Sequence, residues 1–398
     1  MPTYHRLILS SVPAVLREVQ RLFALTEHYS KLATTTNHTS EIYTRQSQPI
    51  VPKSNQRRPF LHRVIDAYNM VDLSIIIINW NSASYIQQCV RSILAHSPPG
   101  RFEIIVVDNG SFDECQILLK SEFPDVIFLQ SSENIGFAKA NNLAAAAAHG
   151  SLLLFLNPDT VVLEHAFELL CQSARNLHNC GVVGASLKNS DLSIQDSCIQ
   201  SFPTIFNQIF DSDFLRRLFP HSSIWGISPL YSVSNTPSRV DAVSGACMLV
   251  MRDVFERIGR FSAEYFMYSE DIDLCYKSHI CGFQNYYIPT AHIIHHGGGS
   301  SKGAKGYYYE VMMREARWRF FLKFHGRAYA VVFRGFLGAS AIARSVVASG
   351  ACWVAFGPSR RDVLSHAARK WRAVLLWAFF DLRPSLTHAH SGGTRALE

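Results

Sequence analysis

Between Val71 and Leu187 short apolar runs alternate with longer stretches in which apolar residues recur every three or four positions. The short runs read as buried strands and the 3.6-residue recurrence as helix. The pattern predicts strands over 73–78, 102–107, 126–130, 152–156 and 182–187. It predicts helices over 85–95, 112–123, 136–149 and 163–176, two of them stopped by Pro124 and Gly150. Strands and helices that alternate through short connections predict an α/β chain, with a mostly parallel, Rossmann-like sheet covered on both faces. Ligands bind beyond the carboxyl ends of the strands in such sheets. Polar clusters fall at those ends: Asn79-Trp80-Asn81, Asp108-Asn109-Gly110-Ser111 and Asn157-Pro158-Asp159-Thr160.

The pattern loosens on either side. Leu7–Leu16 is apolar but broken by Ser10, Ser11 and Pro13, which suits an amphipathic helix ending near Leu32 better than a cleaved leader. Residues 33–62 are polar and read as a linker. Residues 190–240 are irregular, rich in Ser, Phe and Pro, and 307–384 are helical by pattern, with aromatics and arginines interleaved. The chain therefore divides into 1–70, 71–306 and 307–398. No run reaches the roughly 18 uninterrupted apolar residues of a spanning helix, since Arg334 and Arg344 interrupt the longest candidate.

Charge sharpens that division. The net charge of +7 hides an acidic middle: residues 71–299 hold 13 Lys and Arg against 22 Asp and Glu. Residues 1–70 hold 9 against 4, and 300–398 hold 16 against 5. A basic, aromatic-rich, interrupted-apolar tail suits contact with an anionic bilayer, and it equally fits a helical region with a solvated basic face. No nucleic-acid-binding motif is present. The 9 cysteines are scattered, with no zinc-type spacing, and fit reduced thiols in a cytoplasmic protein.

Three constellations carry candidate chemistry. Asp159 follows an apolar strand, where a carboxylate can hold Mg²⁺ or Mn²⁺ shared with substrate phosphates; read alone, Asn157–Thr160 is also a turn and helix cap. Glu270 and Asp271 adjoin Phe266 and Tyr268, an apolar setting that raises a carboxyl pKa toward use as a general base; the alternative is a solvated helix start. His292, His295 and His296 precede Gly297-Gly298-Gly299-Ser300-Ser301, which combines imidazole ligands with a loop suited to phosphate oxygens. Asn79 and Asp108 are placed either to bond a nucleobase or ribose or to cap the following helices.

In this order, the stretches 74–81 (SIIIINWN), 104–111 (IIVVDNGS), 134–142 (NIGFAKANN), 155–160 (FLNPDT), 243–251 (VSGACMLVM), 266–275 (FMYSEDIDLC) and 294–301 (IHHGGGSS) resemble family-2 glycosyltransferases, most closely their rhamnosyltransferase-like branch. The resemblance implies the GT-A, nucleotide-diphospho-sugar transferase fold over about 71–301, with a helical C-terminal appendage. It implies that Asn79, Asp108, Asn109, Asn134, Gly136, Asn141 and Asn157 bind the nucleotide-sugar. Asp159 and His295 would ligate a divalent cation, Asp271 with Glu270 would supply the general base, and Gly245 with Ser300 would meet the acceptor. A dTDP- or UDP-sugar is the implied donor, and a saccharide or polyprenyl-diphosphate-linked molecule the implied acceptor. The implied location is the inner face of the cytoplasmic membrane, by peripheral contact. A non-catalytic nucleotide-sugar-binding protein is the alternative. A dinucleotide oxidoreductase would need GxGxxG after the first strand, where Asn79-Trp80-Asn81-Ser82 stands.

Overall fold

The structure is a computed structural model that describes residues 71–381, apart from 211–215, 217, 220–221, 232–233, 298–306 and 355–356. The expected N-terminal helix and linker and Ser300 lie outside the described residues. The described chain runs β1 (Leu73–Asn79), α1 (Ala83–Ala95), β2 (Phe102–Asn109), α2 (Cys115–Glu122), β3 (Ile127–Ser131), α3 (Phe137–Ala147), β4 (Leu152–Leu156), β5 (Thr160–Val162), α4 (Ala166–Asn176) and β6 (Cys180–Lys188). It continues with β7 (Ile199–Gln200), α5 (Ile205–Ile209), β8 (Ser238–Val240), β9 (Ala242–Val243), β10 (Cys247–Met251), α6 (Arg252–Arg257), α7 (Glu270–Ile280) and β11 (Gln284–His295). It ends with the helices α8 (Tyr308–Phe324), α9 (Gly326–Val354) and α10 (Pro358–Phe380).

The main sheet has the order β3-β2-β1-β4-β10-β6-β11-β5, with β8 also on β11. Strands β1 to β4 pair in parallel, β10 runs antiparallel between β4 and β6, and β11 returns to the parallel sense beside β6. The sheet is buried on both faces because successive side chains of an apolar strand point to opposite sides. Ile75, Ile77, Val106 and Leu154 pack against α1 and α4 through Ile86, Val90, Phe167 and Leu170. Ile76, Val107, Leu153 and Phe155 face the other way, toward Ala144 of α3 and Phe255 of α6. The C-terminal helices join that second layer through Phe320, Phe321, Phe333, Val374 and Trp377.

The expected strands and helices are present with shifted ends. The first shift is at α2, which begins at Cys115 rather than Phe112. The Asn81 side-chain Oδ1 accepts the Phe112 N–H at 2.9 Å, and the Asp113 carboxylate accepts the Ala83 N–H of α1 at 2.9 Å, so this segment is held as a turn. The second is at α4, which begins at Ala166 because residues 160–162 form β5. The third is β11, a 12-residue strand where only a short apolar stretch and a histidine cluster were visible. Its pairing with β6 slips between Ile288 and His292, a bulge that contains Pro289, which has no N–H to give the ladder. Beyond the bulge the strand turns to pair with β5, with His295 opposite Thr160. All nine cysteines are free and seven are buried.

Phe155 is fully buried and packs against Phe255 and Phe261, with ring centroids 5.1 and 4.8 Å away. Phe155→Ala should lower stability by about 3–5 kcal/mol, read as a shift of the urea unfolding midpoint. A loss under about 1 kcal/mol would contradict this packing.

Candidate active site

Two adjoining hollows open at the carboxyl ends of β1, β2 and β4. They share Trp80, Asn134 and Met267. The smaller, of about 310 Å³, is lined by Asn157, Asp159 and His295 on one side and by Gly245, Glu270 and Asp271 on the other. The larger, of about 600 Å³, has aromatic walls from Trp80, Phe112, Phe266, Tyr308 and Tyr309, with Gln130 and Ser111 as polar groups.

The first wall is set by the pairing of β5 with β11. Asp159, immediately before Thr160, comes to lie beside His295, with Oδ1 3.3 Å from Nε2. The Asp159 carbonyl accepts the His296 N–H at 2.9 Å. Gln195 fixes the imidazole. Its Nε2 donates to the His295 carbonyl at 2.5 Å, so its Oε1 faces Nδ1 at 3.0 Å. A carbonyl oxygen only accepts, and this orients the amide and puts the His295 proton on Nδ1. The Nε2 lone pair then faces the cleft, 3.4 Å from the Asn157 Nδ2 and in front of the Asp159 carboxylate. An imidazole nitrogen and a carboxylate oxygen converging on one point of the cleft are the donor types of a divalent-metal site, so these residues fit such a metal. Because a strand, not a helix, follows Asp159, this turn is no helix cap.

The other two histidines go elsewhere. His292, three residues from His295 on the strand, falls on the opposite face. Burial, with Lys188 nearby, pushes its pKa down. The His296 Nδ1 bonds the Ser190 hydroxyl at 2.8 Å.

The second wall is the start of α7. Tyr268 and Ser269 both take left-handed backbone conformations, φ +71° and +65°. Two consecutive non-glycine residues there store strain of a kind found at functional sites. The turn presents two carboxylates in unlike settings. Asp271 is half-buried. Its Oδ2 accepts the Gly245 N–H at 3.0 Å and the Gln200 amide at 2.9 Å, and its Oδ1 accepts the Ile272 N–H at 2.8 Å. Arg317 of α8 holds Gln200 and Ser269, at 3.3 and 3.1 Å. Glu270 is buried, and its Oε2 has no hydrogen-bond partner. Burial first, and the Asp271 charge second, raise its pKa well above the carboxyl range. Glu270 thus keeps its proton to higher pH than an ordinary carboxyl. The solvated helix start considered from the sequence is not what forms, since Asp273 is also fully buried and bonded to Ser262 and Lys323 at 2.6 and 2.7 Å.

The nucleotide-side residues divide. Asn109 and Asn134 line the cleft and bond each other at 3.0 Å, and Asn134 accepts the Gly136 N–H at 3.0 Å. Gly136 has φ +85°, and a Cβ there would stand 2.6 Å from the Phe266 carbonyl, so the loop can approach α7 only with glycine at this point. Asn79, Asp108 and Asn141 do not line either hollow. The Asn79 amide donates to Asp108, Ser111 and Asp113 beneath the strand ends. Asp108 accepts the Ser111 N–H at 2.8 Å and the Gln130 amide at 3.1 Å. Asn141 donates to the Phe137 carbonyl one helical turn back. Of these three, expected against the nucleotide, Asn79 and Asp108 bond the loops beneath the cleft and Asn141 bonds within α3. Asp108, Asp113 and Cys115 also form a metal-type side-chain cluster, but the acids are occupied by the Asn79 amide.

The sequence reading missed Gln195, Gln200, Asp113 and Arg317. The first two sit in the irregular 190–240 region with no motif around them. Asp113 could have been found as the acid after DNGS.

A sheet with its carboxyl ends opening on paired acidic and imidazole groups, and with one reversed strand at its centre, defines a nucleotide-diphospho-sugar transferase of the GT-A type. Residues 74–259 match the sequence model of Glycosyl transferase family 2, and the chain is a glycosyltransferase carrying a domain of that family. It is 24% identical over 242 residues to an N-acetylglucosaminyl-diphospho-decaprenol L-rhamnosyltransferase of Mycobacterium tuberculosis, covering 58% of this chain and 77% of the relative. It is 27% identical over 233 residues to the rhamnosyltransferase WbbL of Escherichia coli, covering 56% and 82%. A mannosyltransferase of Pyrobaculum calidifontis, solved with GDP-Man and Mn²⁺, superposes with a TM-score of 0.48 at 16% identity, over 79% of this chain and 89% of that one.

Glu270 gives this site a pH signature. Its carboxyl keeps its proton above the ordinary value of 4.5 in the folded state and releases it near 4.5 when unfolded. The folded state therefore binds more protons just above pH 4.5, and stability falls as pH rises through that window. Glu270→Gln should flatten the fall, seen as a smaller drop in Tm between pH 5 and 8 than in the wild type. Parallel profiles would contradict a protonated Glu270.

Proposed function

We propose that the protein transfers a sugar from a nucleotide-diphospho-sugar to a hydroxyl of a saccharide or polyprenyl-diphosphate-linked acceptor, at the inner face of the cytoplasmic membrane, in building a cell-surface polysaccharide. Rhamnose from dTDP-rhamnose is the first candidate donor, and a UDP-sugar the second. The observation that carries the reading is the facing of Asp271 toward Asp159 and His295 across one cleft. The donor assignment draws on relatives named as rhamnosyltransferases, one of which acts on a decaprenol-linked acceptor.

The nucleoside enters the larger hollow, where Trp80, Tyr308 and Tyr309 offer ring faces and Gln130 a side-chain amide. Asn109, Asn134 and Asn157 hold the sugar end in the smaller hollow. Asp159 and His295 would hold the divalent cation, magnesium or manganese, whose charge offsets the negative charge gathering on the leaving diphosphate. Gly245 leaves the acceptor side open, since any Cβ there would meet that of Asp271 at 3.3 Å. Asp271 takes the proton of the acceptor hydroxyl. The hydroxyl oxygen bonds the anomeric carbon as the bond from that carbon to the diphosphate oxygen breaks, with inversion. Neutral Glu270 beside it leaves the single charge on the base. Gly245, Gln200 and Ile272 hold that carboxylate in place.

Nucleotide release from a panel of dTDP-, UDP- and GDP-sugars with Mn²⁺ tests the donor. dTDP-rhamnose should be the best substrate, and turnover of UDP-sugars alone would reassign it. Binding without turnover of any donor, with acceptor saccharides present, would leave a nucleotide-sugar-binding protein. Asp271→Asn should lower kcat by at least about 10²-fold with donor KM little changed. Near-normal turnover would remove Asp271 as the base.

A further inference from the structure

The helix α9 is 29 residues long, about 43 Å at a rise of ~1.5 Å per residue. Its stretch Gly326–Trp353 is long and apolar enough to cross a bilayer, with an 18-residue segment of mean hydropathy 1.5 of which only 28% is buried. The two faces of the helix differ sharply. Phe333, Leu337 and Ala341 are buried in the core shared with the sheet. Both internal arginines turn to the protein side. Arg334 donates to the Ala378 and Trp377 carbonyls of α10 at 2.8 and 2.6 Å, and Arg344 donates to the Ile209 carbonyl of α5 at 2.7 Å.

The exposed face is left without charge from Ala328 to Trp353, about 37 Å along the helix. Val331, Val332, Phe336, Ile342, Val346 and Val347 recur on it at helical spacing, Val347 is 70% exposed, and Trp353 at the end is 89% exposed. Apolar side chains exposed in a row along one helix face mark an interaction surface. Residues 326–380 hold eight Lys and Arg against one acid, Asp362. Four of these, Arg360, Arg361, Arg369 and Arg372, are exposed on α10, the helix packed beside α9.

We propose that the exposed face of α9 is a membrane-docking surface that lies flat in the interface of an anionic phospholipid bilayer, with the exposed arginines of α10 engaging lipid phosphates. A basic, one-sidedly apolar helix pair has the character of an interfacial anchor. A spanning orientation would strip Arg334 and Arg344 from their carbonyl partners and pull the buried face from the core. The proposal shares with the functional reading the lipid-linked acceptor and the membrane location, and vesicle binding in the absence of donor tests it separately from sugar transfer.

The full-length protein is floated with vesicles of phosphatidylcholine alone or mixed with phosphatidylglycerol, at low and high salt. It should float with the mixed vesicles and release with salt. Charging the stripe with Val332→Glu, Phe336→Glu and Val347→Glu should reduce the bound fraction at least about tenfold with Tm and nucleotide release retained. Arg360→Gln, Arg361→Gln, Arg369→Gln and Arg372→Gln together should abolish the preference for phosphatidylglycerol. Flotation of the charged-stripe variant at the wild-type level would overturn the proposal. So would a stable dimer that ignores vesicles and dissociates in that variant, since a second copy would then cover the stripe. Orientation is read from nitroxides at Val332→Cys, Ala339→Cys and Val346→Cys, one heptad apart on one face, with Cys281 and Cys352 replaced by Ser. Equal depths are expected for a flat helix, and depths differing by about 20 Å between the outer pair would show a spanning one instead.

Discussion

The antiparallel register of β5 on β11 is the constraint on which the site depends. Three residues of β5 and the last three of β11 pair, with Thr160 opposite His295, and this brings together Asp159 and His295 across more than a hundred residues of sequence. Over these residues β11 lies between β5 and β6, just past the bulge at Pro289 that shifts its register along β6. The backbone delivers the two groups, and Gln195 then decides what the imidazole offers. By binding Nδ1 and the carbonyl of the same residue, it leaves Nε2 facing the carboxylate. The orientation is that of a ligand held ready by its neighbours rather than by the cation.

The opposite wall obeys a different rule. The residues 268 and 269 accept an unfavourable backbone, and the surrounding contacts hold them there: Arg317 from α8, Gln200 beside β9, and the Gly245 N–H before β10. The helix α8 therefore belongs to the site as much as the sheet does. The turn separates two adjacent acids into one solvated and hydrogen-bonded carboxylate and one buried carboxyl, the division of labour that acid–base chemistry needs.

Much of this was legible beforehand. The strands of 73–79, 102–109 and 152–156 declare themselves because both faces are buried and each carries an unbroken run of four or five apolar residues, and the motifs at their ends mark where a ligand would sit. The acidic pair and His295 were visible as residues but not as a geometry. The short strand β5 has too few residues to show a period, and β11 carries a proline and polar residues that hide a strand. The surroundings of Asn79, Asp108 and Asn141 were hidden for a related reason. A polar residue at a strand end looks the same in sequence whether it faces a ligand or bonds the loops beneath it, and here Asn79 bonds Ser111 and Asp113, and Asp108 bonds Gln130. The basic end of the chain also gains a structural meaning, with exposed arginines on the C-terminal helix α10.

The account rests on the Asp159–His295 pair as the cation site, against the competing cluster of Asp108, Asp113 and Cys115. The most direct measurement is Mn²⁺ binding to the folded full-length protein with a nucleoside diphosphate present, followed by electron paramagnetic resonance. Asp159→Ala and His295→Ala should each weaken Mn²⁺ at least about tenfold, while Asp108→Asn leaves it unchanged. Unaltered binding in both of the first two variants, or its loss in the third alone, would contradict the account.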